Sequence, residues 1–176
     1  MNARQESSTR LQSDVKEELV LRHPESRDGA QIHALVAACP PLDTNTVYAY
    51  LLQAEYFADT CIAAYRQKKL VGFISAFVVP QRTDTLFVWQ VAVHASERGQ
   101  GLAARMLDHL LQEQIAKGIR YIEVTVSPDN KGSRALFNAL ARRKGVALNE
   151  SPLFDSHSFG GLAHEDEPLL RLGPFQ

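Results

Sequence analysis

The clearest chemical signal in the chain is the segment Val91-Ala92-Val93-His94-Ala95-Ser96-Glu97-Arg98-Gly99-Gln100-Gly101-Leu102-Ala103. An apolar strand runs into a short polar loop with two glycines and then into a helix. Several backbone N–H groups and the positive end of a helix dipole therefore converge on one point, which is an anion site suited to phosphate. Gly99 and Gly101 permit backbone geometries and close approaches that a side chain would prevent, and Arg98 adds a fixed charge able to pair with phosphate oxygens. The loop lacks the Lys-Ser/Thr pair of a P-loop, and the strands before it run antiparallel, which argues against a dinucleotide-binding turn. Cys39 and Cys61 belong to no CxxC pair and sit near no His at ligand spacing, so no metal site is expected.

The elements that position this loop can be read from periodicity. A strand near Glu18–Arg22 opens the domain, and Arg27–Cys39 is a helix ended by Cys39-Pro40-Pro41, because proline restricts its predecessor and lacks an N–H. A second helix is expected over Asn45–Tyr56, followed by three strands at Asp59–Tyr65, Leu70–Val79 and Thr85–His94. They are joined by polar turns at Gln67-Lys68 and Pro80–Asp84. From Gly101 to Ala116 the period becomes helical, with Leu102, Met106 and Leu110 in one row, Leu107, Leu111 and Ile115 in the next, and Gly118 as the cap. A strand at Tyr121–Ser127, a helix at Ser133–Lys144, an irregular segment beyond Gly145 and a terminal strand near Leu169–Leu172 complete an α/β fold with a mixed central sheet and flanking helices. Residues 1–16 read as a disordered polar tail and 17–176 as one domain.

The chain has 176 residues, 45% of them hydrophobic, and its 19 basic and 20 acidic side chains leave a net charge of −1. That balance, without a run of Lys and Arg, argues against a nucleic-acid partner and for a small molecule. No stretch has the apolar length of a membrane span, and the N-terminal residues lack a signal-peptide centre, so a cytoplasmic protein is expected.

Arg98-x-x-Gly101-x-Ala103 resembles the Arg/Gln-x-x-Gly-x-Gly/Ala signature of the GNAT acyl-CoA N-acyltransferases, whose order of elements this chain follows from Glu18 to Leu172. The resemblance implies acetyl-CoA as co-substrate and no metal. The backbone of Val91, Ala92 and Val93 would bond the pantetheine arm, and Arg98, Gly99, Gln100, Gly101, Leu102 and Ala103 would hold the pyrophosphate. Asn130 would reach the cofactor from the end of the next strand. Where that family often carries a tyrosine acid, this chain has Phe137, which is read as core and grouped with the cofactor-binding positions. A coenzyme A thiolate, with a pKa like that of free Cys at about 8.5, can leave without such an acid.

Further matches point to one branch of that family. Cys39–Leu52, Asp84–Val93, Glu123-Val124-Thr125, Pro128-Asp129-Asn130, Gly160-Gly161, His164, Arg171 and Gly173–Gln176 resemble the branch that acetylates L-2,4-diaminobutyrate on the route to ectoine. Such an acceptor carries two amines and a carboxylate, so its site needs anions and donors. Asp43, Tyr48, Trp89, His164 and Glu165 are the substrate-binding candidates. Asp43 equally suits an N-cap before the second helix. Trp89, two residues before Val91 and hence on the same strand face, equally suits core packing. An alkylammonium with pKa about 10.4 must lose a proton before it attacks a thioester. Glu123, on the neighbouring strand, is the candidate base, and a backbone N–H near Val91 would stabilise the oxyanion. A homodimer is the expectation that follows from the family, with Leu153, Phe154, Phe159 and Leu162 available for a contact. Two alternatives share these residues: a GNAT enzyme of another primary amine, and a non-catalytic acetyl-CoA-binding module.

Overall fold

The computed structural model describes residues 18–162 and 164–176, and the tail expected at 1–16 lies outside them. A seven-stranded sheet runs in the order β1-β2-β3-β4-β5-β7-β6. Its strands are β1 (Leu19–Arg22), β2 (Ile62–Arg66), β3 (Lys69–Val79), β4 (Arg82–Val93), β5 (Tyr121–Thr125), β6 (Ala147–Phe154) and β7 (Glu167–Gly173). All pairings are antiparallel except β4 with β5.

Helices α1 (Gly29–Ala37) and α2 (Val47–Tyr56) cover one face and α3 (Leu102–Ala116) and α4 (Lys131–Lys144) the other. Each face has its own core. Leu102, Met106, Leu107, Leu110 and Leu111 bury the predicted rows of α3 against Ile74, Leu86 and Ile122, and Phe137 and Leu140 join them from α4. On the opposite face Ile32, Val36 and Tyr50 pack on Ala63, Phe73 and Ala92.

The expected hairpin loop Pro80–Asp84 is tighter than anticipated, because Val79 pairs Arg82 and only Pro80-Gln81 turn the chain. Beyond Gly145 the irregular segment expected from sequence contains β6. Nearly every residue of β6 is exposed, and it carries Pro152 at the sheet edge, where a missing N–H does little harm. A strand that buries neither face leaves no alternation to read.

Two features of β4 shape the functional region. Parallel pairing to β5 stops at Phe87↔Glu123, so from Val88 to Val93 the strand has no β5 partner and the sheet splays open. Opposite β3, Ser75 pairs Gln90 while Ala76 pairs Val88, which makes Trp89 the extra residue of a β-bulge. The bulge reverses the alternation. Leu86 and Val88 enter the α3 face, whereas Gln90 is turned toward α2 and the loop before it.

Candidate active site

The glycine loop takes the form its residues require. Gly99 and Gly101 have φ of +74° and +77°, and a Cβ on either would meet nothing within 4 Å. Left-handed backbone of this kind is strained for other residues, so glycine is needed for conformation and open space, not to avoid a clash. Gly101 is also the N-cap of α3, with no side-chain cap of its own, so the first N–H groups of a 15-residue helix are left facing the loop. Side chains fix the loop from behind. Arg66 forks onto the buried Glu97 carboxylate at 3.1 and 3.0 Å, Gln100 Nε2 donates to the Ser96 carbonyl at 2.7 Å, and Arg98 Nε donates to that of Val93 at 3.0 Å. These residues fit a phosphate-bearing co-substrate, and the unpaired β4 edge beside them offers backbone groups to an extended chain in the manner of an added strand.

At the other end of that edge lies a cleft of about 760 Å³. Its floor is Phe87, Val88, Trp89, Gln90 and Val91 of β4 with Val124–Ser127 at the end of β5, and its far wall is Asn130, Ser133 and Phe137. The Phe77 and Phe87 rings lie 5.2 Å apart at one side. Pro41, Leu42 and Asp43 approach from one edge, and Leu153, Phe154, Phe159, His164, Glu165 and Glu167 from the other. Three carboxylates therefore share the cleft. His164 stacks on Phe159 with centroids 3.7 Å apart, engages the Glu165 carbonyl through Nδ1 at 2.7 Å, and brings Nε2 to 3.9 Å from Asp43. A ring that donates from Nδ1 to a carbonyl can donate from Nε2 only as the cation, so His164 in that tautomer meets Asp43 as a charge partner when protonated.

Glu167 differs from its neighbours. Burial pushes its carboxyl above the ordinary range, and the nearby Asp43 and Glu165 charges add to the rise, while a Thr125 hydrogen bond and His164 oppose it. A carboxyl in a cleft whose proton affinity is raised by burial is suited to accept and return protons.

Of the residues anticipated from sequence, Asp43, Trp89, Val91, Asn130, Phe137, His164 and Glu165 line this cleft. Ala92 and Val93 continue the open β4 edge, and Arg98 to Ala103 form the glycine loop and the start of α3. The cap of α2 is Thr46, which accepts from the Ala49 N–H at 3.3 Å, and that leaves Asp43 free for the cleft. Asn130 caps α4 by accepting from the Ser133 N–H at 3.1 Å, so it has a structural task at the cleft wall.

Three expectations are corrected. Trp89 does not follow the simple alternation with Val91, because the bulge falls on it; it is half exposed over the cleft. Tyr48, in the first turn of α2, is 67% exposed and is not among the residues lining the cleft. Glu123 is buried outside the lining, its carboxylate held by Arg82 at 2.5 Å and by Arg171. A carboxylate engaged by two guanidiniums and walled from the cleft is poorly placed to take a proton from an acceptor. Glu167 belongs with His164 and Glu165 to the irregular acidic segment that the sequence places within reach of the cleft, and the structure puts it in the cleft lining, where it is the acid better placed than Glu123 to meet a proton.

Comparison with known proteins agrees with this architecture. The Acetyltransferase (GNAT) family matches residues 30–141. The chain is 51% identical over 156 residues to L-2,4-diaminobutyric acid acetyltransferase of Bordetella parapertussis, covering 88% of this chain and 84% of that one. It is 45% identical to the enzyme of the same name from Methylotuvimicrobium alcaliphilum, covering 90% and 92%. Among solved structures, diaminobutyrate acetyltransferase EctA from Paenibacillus lautus, in complex with its substrate L-2,4-diaminobutyric acid and coenzyme A, superposes with a TM-score of 0.87 at 45% identity, over 91% of this chain and 97% of that one.

Proposed function

The chain belongs to the GNAT acetyltransferase family, among its diaminobutyrate acetyltransferases, and on that premise we propose that it transfers the acetyl group of acetyl-CoA to the 4-amino group of L-2,4-diaminobutyrate, giving N4-acetyl-L-2,4-diaminobutyrate for ectoine synthesis. The observation that carries this reading is the meeting of Asp43, Glu165 and Glu167 in one cleft along the open part of β4, the strand that leads into the glycine loop. A diamine needs anions to hold it, and a thioester donor needs a phosphate cradle within reach.

Acetyl-CoA supplies the thioester. Arg98 to Ala103 hold its pyrophosphate, and Val91 to Val93 offer backbone groups to its extended arm, with a Val91 N–H available to the oxygen on which charge develops. Asp43 and Glu165 bind and orient ammonium groups, and Trp89 offers a ring face to a cation. Glu167 takes the proton from the reacting amine. The division of labour is physical: a fully ionised carboxylate binds an ammonium well but raises its pKa, whereas a carboxyl shifted upward by burial gives up less to receive the proton. Phe137 at the wall leaves the departing thiolate without a tyrosine acid, which its ordinary acidity tolerates.

The experiment is thiol release from acetyl-CoA with L-2,4-diaminobutyrate beside ornithine, lysine, putrescine and a no-amine blank, the product located by NMR. Strong preference for diaminobutyrate with acetylation at the 4-amine is expected. Equal rates on the other amines would replace this reading with a broad amine acetyltransferase, and binding without release would replace it with a sensing module.

We assign the enzyme to the cytoplasm, where acetyl-CoA is made. Both cysteines are free and buried, and the Cys61 thiol is pushed up to about 11 by burial, which suits a reducing compartment but does not require one. Among the described residues no helix is long and apolar enough to cross a membrane. Leu153, Phe154 and Leu162 stay exposed along the β6 edge and the segment after it, and we assign them to a homodimer contact that light scattering would test.

A further inference from the structure

We infer that Gln90 is a positioning residue for the acceptor: it fixes the Asp43 loop over β4 and so sets where the Asp43 carboxylate meets the acceptor ammonium. The inference rests on the functional reading above. Gln90 is 4% exposed, and a carboxamide buried in an apolar strand is costly unless both its halves are bonded. Here both are. Nε2 donates to the Asp43 carbonyl at 2.7 Å and Oε1 accepts from the Tyr50 hydroxyl at 3.3 Å. That hydroxyl in turn accepts from the Asn45 N–H at 3.3 Å, and Tyr50 is fully buried. One side chain therefore ties together β4, α2 and the loop between α1 and α2.

The bulge at Trp89 makes this possible. In an unbroken alternation Gln90 would share the apolar α3 face with Leu86 and Val88, where it would find no loop to hold. The Asp43 side chain itself is 89% exposed, with the His164 Nε2 at 3.9 Å. Its carboxylate thus takes its place from its own backbone, and that backbone is anchored by Gln90. Cys39 Sγ, on the Val93 carbonyl at 3.3 Å, anchors the start of the same loop, so Gln90 governs the half that bears the charge. Because the distance from Asp43 to the reacting thioester selects the spacing between the two amines of the acceptor, loss of this anchor weakens discrimination against a diamine one methylene longer.

The test combines Gln90→Met, close in volume and lacking both hydrogen bonds, with Asp43→Ala in a double-mutant cycle. Gln90→Met is expected to raise the KM for diaminobutyrate about tenfold, the scale of one lost buried hydrogen bond, and to lower the preference over ornithine, while the KM for acetyl-CoA moves less than about twofold. In the Asp43→Ala background it should add nothing. Backbone hydrogen exchange of the segment 41–47 should quicken in Gln90→Met. Gln90→Glu, which keeps the Tyr50 acceptor but not the donor, serves if Gln90→Met does not fold. A rise in both KM values by the same factor, effects that multiply in the double variant, or unchanged exchange would overturn the inference. If the wild-type enzyme ignores diaminobutyrate, the functional reading fails instead, and the exchange data with the same cycle on whichever amine is used still decide the role of Gln90.

Discussion

At the start of α3 the groups we assign to the pyrophosphate are backbone N–H groups, arranged by two left-handed glycines and a helix end within one stretch of chain. The acceptor cleft has the opposite construction. Its polar groups are side chains drawn from the loop before α2, from β4, from the end of β5 and from the segment leading into β7. A pyrophosphate presents the same shape whichever acyl acceptor is used, so a fixed backbone cradle suffices. A small diamine is recognised by charge and distance, which demand several side chains brought from far apart, each held by something else. Damage to the loop should therefore act on one substrate through conformation, and damage to the cleft on the other through charge.

The largest effect is expected from Glu167→Gln, which keeps the shape of the side chain but cannot take a proton. We expect kcat to fall by about 10²- to 10⁴-fold, the range for loss of a general base, with the KM for acetyl-CoA little changed. The same substitution should leave the protein no less stable. Because the folded state raises the Glu167 carboxyl, the stability it contributes is present below the ordinary carboxylate range and is lost as pH rises through the raised value. At pH 7 the glutamine variant should melt at an equal or higher temperature than the wild type, and the difference should shrink toward pH 4. A variant that loses both activity and stability would make Glu167 structural and leave the cleft without its base.

Next in size is Gly101→Val. A β-branched residue at φ +77° carries backbone strain of roughly 1–3 kcal/mol, relieved only by moving the loop, and its side chain would occupy space that is open beside the helix end. The KM for acetyl-CoA should rise about tenfold or more, with that for diaminobutyrate within about twofold, as steady-state kinetics with each substrate varied would show. Equal changes in both would mean that loop and cleft are mechanically one unit.

This contrast also accounts for what could be read from the sequence. The anion loop was legible because its determinants are contiguous, and glycine at a fixed offset from a strand has a physical meaning that neighbours cannot hide. The rows of α3, the turn at Gln67-Lys68 with φ of 48° and 64°, and the order of elements followed from period and turn chemistry. The cleft was legible in part. Asp43, His164 and Glu165 stand out as charges in loops, but nothing local says which acid a fold will bury, and Glu123 is the base suggested by its place on the strand beside the cofactor strand. What decided between them lies elsewhere in the chain: Arg82 and Arg171 claim Glu123, and the return of β7 carries Glu167 to the cleft. The bulge at Trp89 was hidden for a related reason, since an extra residue in β4 is defined only by its register against β3. Gln90 did leave a signal, a lone amide among Val88, Trp89 and Val91, because a polar residue inside an apolar strand must find partners.

The smallest kinetic effect, and the largest on stability, should come from Arg22→Met, far from both substrates. Asp28 is 3% exposed and receives Arg22 at 2.8 and 3.1 Å and the Glu25 N–H at 2.8 Å. Burial pushes its carboxyl up, but the hydrogen bonds from Arg22 and the Glu25 N–H outweigh it, and the net shift is downward. The sign is opposite to that of Glu167. A lowered carboxyl contributes stability that is present above the ordinary range and is lost as pH falls through the folded value. Removing Arg22 strands a buried charge, at a cost of about 3–5 kcal/mol near neutral pH that shrinks in acid as Asp28 takes up a proton. Thermal melts from pH 4 to pH 8 should therefore show the Arg22→Met deficit widening with pH while both KM values stay within about twofold of wild type. Glu167→Gln should give the reverse pattern, with activity lost and stability kept. One carboxyl is shifted down by partners that hold the scaffold, and the other is shifted up by burial in a cleft that must handle a proton, so the direction in which pH moves stability separates the carboxylate that builds from the one that works.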